Sequence, residues 1–225
     1  MAPPESARAP GAEVAVPRLA SMPNLPESGA EGEQFRDEDW YGEEVGAVTF
    51  RGCVFSDVDL TELTADGTTF DDCTFHSCRF NGAVLRATAF VGCDLRRCNF
   101  FTATLDGCKL TGTVLSECTL RPLTVLGGAW QSVTLRGNNL SGLDLRRVDL
   151  READLSMTDL TDACLREARL DRAVVRRADL TRADLRRASL DAVDLASAIL
   201  DRTQIDLQAA VMLAELNGAL VDLED

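Results

Sequence analysis

The sequence predicts an all-β solenoid, and three observations carry that prediction. Every fifth residue from Phe50 to Ile205 is large and apolar, with one exception at Ala65, and the phase holds across thirty-two positions. Two residues before most of them stands a small one: Cys53, Cys73, Cys78, Ala83, Cys93 and Cys98 in the first half, Ala153, Ala163, Ala168, Ala173, Ala178 and Ala183 in the second. The third observation is what the period excludes. Neither a helical period of 3.6 nor a strand period of 2 keeps one residue in five on a single inner face, which removes a helix bundle and an ordinary sheet. A chain that turns a corner every five residues closes a square after twenty and stacks its coils as parallel layers about 4.8 Å apart. The thirty-two pentapeptides make about eight coils, a rod about 38 Å long at that spacing.

The elements follow in order. Residues 1–33, rich in Pro, Ala, Glu and Ser, read as a disordered acidic tail. Residues 34–45 carry Phe35, Trp40 and Tyr41 among acids and are expected to cap the open first layer, since a bare solenoid end templates association. The solenoid spans 46–205. Stacking by twenty places Cys53, Cys73 and Cys93 in one column and Cys78, Cys98 and Cys118 in the next. It also stacks Phe50, Phe70 and Phe90, and pairs Phe80 with Phe100. Pro122, at an outward position, is expected to bend the rod by removing an amide donor. Residues 206–225 form a helical cap and tail. Asp206 is the expected N-cap and Gly218 the stop, with Leu207, Val211, Met212, Leu213 and Leu216 as the apolar surface for capping and for a dimer contact.

Seven of the eight cysteines, all but Cys164, occupy the small inward position, so they read as reduced core fillers rather than a zinc site. A reducing cytoplasm fits them. No secretory leader or membrane-spanning run is apparent in the sequence. The formal net charge is −14, but residues 46–205 hold 22 acids against 20 bases. Direct nucleic-acid binding is therefore not expected. Reading by twenty sets Arg147 over Glu167 over Arg187, Glu152 over Arg172, and Asp149 over Arg169, a self-neutralised surface. Arg146, Arg166 and Arg186 form a column that this reading leaves unrelieved. The one histidine, His76, is outward, and no nucleophile–base pair, phosphate loop or cofactor motif occurs, so no enzyme, cofactor or metal is expected.

The five-residue unit resembles the pentapeptide-repeat family, whose fold is a right-handed quadrilateral β-helix. Segments such as Phe35-Arg36-Asp37-Glu38-Asp39, Arg121-Pro122-Leu123-Thr124 and Gly137-Asn138-Asn139-Leu140-Ser141-Gly142 are similar in order to the MfpA/Qnr-type fluoroquinolone-resistance subgroup. What the resemblance implies is a homodimeric DNA mimic that binds DNA gyrase in place of its DNA segment and modulates quinolone action, with a small GTPase as a further implied partner. The acids placed to face such a partner are Asp57, Asp59, Glu62, Asp71, Asp72, Asp159 and Asp162. An alternative is a general interaction scaffold with a target unrelated to topoisomerases, using the acidic tail or the arginine column.

Overall fold

The computed structural model describes Pro26 and residues 28–222. The chain winds into a β-solenoid whose coils repeat every twenty residues, closed by one short helix. Three parallel sheets carry the strands. The first stacks Ala30–Glu31, Thr49–Arg51, Thr69–Asp71 and Ala89–Val91. The second stacks Gln34–Arg36, Val54–Ser56, Thr74–His76, Asp94–Arg96 and Val114–Ser116. The fourth face stacks Glu44–Val45, Thr64–Asp66, Val84–Arg86, Thr104–Asp106 and Thr124–Leu126. Register is a uniform offset of twenty, as in Phe50↔Phe70 and Leu105↔Val125.

The third face, the first face from Lys109 and the later coils pair through single-residue bridges instead, ending at Asp184↔Gln204, with a gap between Thr119 and Asn139 and between Thr124 and Asp144. Strands proper therefore stack only five deep, fewer than the eight coils expected, while the twenty-residue register runs on beyond them. Local chemistry explains the change. Strands mostly carry Thr or Val just before the large residue, whereas about half of the bridged positions carry Asp or Asn. Those side chains accept from the N–H two residues on, as Asp59 does from Thr61 at 3.0 Å and Asp154 from Ser156 at 2.9 Å. The next corner then closes with a hydrogen bond back to the large residue, Ala153 N–H to Leu150 C=O at 3.1 Å. Short polar side chains draw the backbone out of extended geometry in this way.

Nearly every corner places the second residue after the large one at positive φ, glycine at Gly52, Gly92 and Gly142 and ordinary residues at Asp57, Arg147 and Met157. One left-handed residue per side is what turns the chain through the square. A type II turn demands it at this position.

The interior is layered. Phe50, Phe70 and Phe90 stack at 5.2 and 5.0 Å, and Phe80 lies on Phe100 at 4.6 Å. Phe35, Phe55 and Phe75 form another aromatic column, at 4.9 and 4.5 Å. The small inward position does more than fill space. Cys73 Sγ donates to the Phe50 carbonyl at 3.3 Å, Thr113 to Phe90 at 2.9 Å, Asn138 to Leu115 at 2.9 Å and Thr158 to Leu135 at 3.0 Å, each bond reaching back 23 residues. Cys, Thr and Asn thus share one role, tying each coil to the one before it. All eight cysteines are free. Burial pushes the Cys108 thiol up to about 11, which keeps it protonated as this donor role requires.

Two boundaries differ from the expected ones. Residues 34–45 are a coil in register rather than a separate lid: Phe35 pairs with Phe55, Val45 with Ala65, and Trp40 N–H donates to Asp59 C=O at 2.8 Å. The coil begins inside the stretch read as tail, since Ala30 pairs with Phe50 and its carbonyl accepts from Cys53 Sγ. The rest of the expected tail, residues 1–25 and 27, lies outside the described residues. At Pro122 the ladder holds toward the preceding coil, the proline carbonyl accepting from Thr102 N–H at 2.6 Å and Thr104 pairing with Thr124, but it is interrupted toward the following one, where Thr119 and Thr124 make no bridge to Asn139 and Asp144.

The helix runs Leu207–Leu216. Asp206 caps it, one carboxylate oxygen accepting from Ala209 N–H at 3.0 Å and the other from Arg187 N–H at 2.8 Å, which pins the helix start to the last coils. These backbone donors hold the Asp206 carboxyl below the usual carboxylate range. Ala209 is buried, and Met212 and Leu213 pack against the core. Leu207 is 74% exposed and Leu216 is also exposed. No helix is long and apolar enough to cross a membrane among the described residues.

Candidate partner-binding surface

Because the large and small residues of each pentapeptide point inward, only three positions in five face solvent, and function has to be read from those. The charge on them is unevenly spread. Residues 30–89, the first three coils, hold 13 acids and 4 bases; residues 90–205 hold 16 acids and 17 bases. The rod therefore carries about −9 at one end and about +1 over the remainder. In the first coil the position before the polar residue, small or apolar elsewhere, is Glu33, Glu38 and Glu43. No coil below them in the described chain demands a small residue there.

The seven acids singled out from the sequence do not form one patch. Asp57 and Asp59 come together with Asp37, Glu38, Asp39 and Arg79 around a shallow open basin of about 430 Å³. Burial pushes the Asp59 carboxyl up, but hydrogen bonds from Arg79 at 2.8 Å and from Thr61 outweigh it and hold the group below the usual range. Glu62 accepts from the Tyr41 hydroxyl at 2.9 Å, which raises the phenol pKa. Asp71 is paired with Arg51 at 3.0 Å across one coil. At the far end Asp162 is clasped by Arg182 through two bonds of 2.6 Å, which lower its pKa, and Asp159 accepts from Thr161 N–H. Asp57, Asp72 and Asp159 have no arginine within salt-bridge distance among the described residues. The first two sit at left-handed corners, with carboxylates turned outward.

Of these acids, then, Asp59, Asp71 and Asp162 are largely offset in place. Sequence reading by type alone missed Asp37, Glu38 and Asp39, which complete the basin. The signal was the phase: Phe35, Trp40 and Val45 continue the five-residue repeat, so residues between them are outward too.

The inter-coil pairs expected in the second half are present: Arg147–Glu167 at 2.8 Å, Arg187–Glu167 at 3.8 Å, Arg172–Glu152 at 3.6 Å and Arg169–Asp149 at 3.4 Å. The arginine column is not unrelieved. Arg146 is held by its own Asp144 and Arg186 by Asp184, each through two or more bonds under 3 Å. Arg166 lacks such a clasp because the corresponding position is Cys164, and reaches Asp184 only at 3.9 Å. His76 contacts Arg97 on the surface. Among the described residues, no group of three or more His, Cys, Asp or Glu is placed to hold a metal ion.

Family profiles recognise the same period. A pentapeptide-repeat-region profile matches residues 74–155, and a profile of eight pentapeptide copies matches residues 168–203. The chain belongs to the pentapeptide-repeat family. A profile of the SV2A/B/C luminal domain also matches, over residues 30–100. Among solved structures, this pentapeptide-repeat protein is similar to a trypsin-treated variant of QnrB1, a plasmid-mediated fluoroquinolone resistance protein: TM-score 0.58, 19% identity, 86% of this chain and 97% of that one covered. HetL, involved in heterocyst differentiation regulation in the cyanobacterium Nostoc sp. strain PCC 7120, matches at 21% identity over 82% of this chain and 90% of its own, with a TM-score of 0.39. At 19% identity the likeness to QnrB1 is one of fold. No curated protein matches the sequence.

Proposed function

We propose that this protein acts without chemistry of its own, by binding DNA gyrase or another type II topoisomerase where a DNA segment would lie and so modulating its activity or its sensitivity to quinolones. The observation that carries this reading is the line charge of the first three coils. Three coils span about 14 Å. Duplex DNA of that length carries about 8 negative charges at one per ~1.7 Å, and residues 30–89 carry a net charge of −9. The remainder of the rod has no such match, so the mimicry belongs to one end.

The regular, loop-free face of the solenoid supports a binding role over an enzymatic one, and the fold likeness to a fluoroquinolone resistance protein supports the choice of target. The exposed leucines of the terminal helix, Leu207 and Leu216, support a homodimer formed at the opposite end, leaving both acidic ends free. The free cysteines, most of them buried, suit a reducing cytoplasm.

A supercoiling assay with purified gyrase, with and without a quinolone, tests the proposal. Micromolar protein is expected to change supercoiling or to shift the quinolone dose response. No change in either, together with no capture of either gyrase subunit, would remove the reading.

A further inference from the structure

Of the twelve aromatic residues in the chain, ten are buried in the solenoid; Tyr41, 55% exposed, and Phe101, 47% exposed, are the two that are not. Both lie on the third face and in one column. Gly42 N–H bonds to Thr61 C=O, Glu62 N–H to Asn81 C=O, and Gly82 N–H to Phe101 C=O, so Tyr41, Thr61, Asn81 and Phe101 stand in successive coils. The two rings are thus three layers apart, about 14 Å. Between them the Asn81 Oδ1 atom is buried with no hydrogen-bond partner, an acceptor left over by the fold. The acidic basin of Asp37, Glu38, Asp39, Asp57 and Asp59 borders the Tyr41 end of the strip.

We propose that this face is the recognition strip, and that it receives an arginine- or lysine-rich segment of a partner protein. Cationic side chains lie over ring faces, attracted by the aromatic quadrupole, while the basin offers carboxylates to their neighbours. Tyr41 is already held by its bond to Glu62 and by Asp39, which accepts from its N–H at 3.1 Å, so little side-chain freedom is lost on binding. The exposed Tyr41 ring beside Asp37, Glu38, Asp39 and Asp57, which no arginine among the described residues pairs, favours a basic protein segment over an apolar one. The inference rests on the topoisomerase reading for the partner's identity, but not for its chemistry.

The test uses the full chain and two probes, a fluorescently labelled nona-arginine peptide and purified gyrase. Tyr41→Leu combined with Phe101→Leu is expected to weaken peptide binding about tenfold. The aromatic-preserving pair, Tyr41→Phe with Phe101→Tyr, stays within about twofold, as does Leu126→Ala, an exposed apolar control on the fourth face. All these side chains are exposed, so thermal midpoints should be unchanged. Peptide binding by the leucine pair equal to that of the unmodified chain overturns the strip, whatever gyrase does. Aromatic-dependent peptide binding with no gyrase binding by any form removes the topoisomerase reading and leaves the strip standing.

Discussion

Replacing Phe75 with alanine is expected to cost about 3–5 kcal/mol of folding stability. Phe75 is fully buried and lies parallel to Phe55 at 4.5 Å, with edge contacts to Phe70 at 5.2 Å and Phe90 at 5.7 Å. Removing the ring leaves a void that the coils cannot close, because each is hydrogen-bonded to its neighbours on both sides. Phe75→Leu is expected to cost only about 1 kcal/mol, since the swap nearly conserves volume and Leu95 and Leu115 already occupy the same column. Urea denaturation of both variants checks the pair. A loss below about 1 kcal/mol for the alanine variant would mean the interior is not close-packed.

The second large effect is expected at Gly128. It holds the small inward position of its pentapeptide with φ of +131°, and a Cβ there would lie 2.5 Å from the Cys108 carbonyl oxygen and 2.9 Å from Trp130 Nε1. The indole of Trp130 takes space that leucine leaves open elsewhere. Gly128→Ala combines an unfavourable backbone with a collision against a fixed carbonyl, for an expected loss of about 2–4 kcal/mol. Gly127→Ala is the control. Its φ is +66° with nothing within 4 Å of the added carbon, so it should lose only about 1 kcal/mol. Equal melting shifts for the two would show that crowding at Trp130 contributes nothing.

The contrast between these neighbours shows what was legible in the sequence. An inward period of five is set by burial, and burial speaks through residue type: Phe, Leu, Cys and Ala cannot be confused with surface residues for long. The square coil, the phenylalanine stacks and the capped helix followed from it. The corner geometry was also present, as glycine recurring two residues after the large one at Gly52, Gly67, Gly82, Gly92 and Gly142, but arginine, aspartate and methionine adopt the same positive φ and hide the signal.

Boundaries and pairings were harder. The first coil went unrecognised because Glu33, Glu38 and Glu43 stand where small or apolar residues are the rule, even though Phe35, Trp40 and Val45 keep phase. The clasp of Asp144 on Arg146 lies within one pentapeptide, so stacking by twenty could not show it. Aspartates before the large residue looked available to a partner, yet several are committed to backbone N–H groups. Which surface acids remain for binding is a question of geometry, and only the coil-by-coil arrangement separates Asp57 from Asp159.

The acidic coils are expected to occupy the place of DNA on gyrase. Gyrase loaded with a fluorescent duplex, titrated with the protein at two salt concentrations, measures this directly. The duplex should be displaced, more weakly at higher salt, and a variant carrying Asp37→Asn, Glu38→Gln, Asp39→Asn and Asp57→Asn should displace it poorly. A complex in which gyrase holds duplex and protein together, or displacement by the neutralised variant as effective as by the unmodified chain, would contradict it.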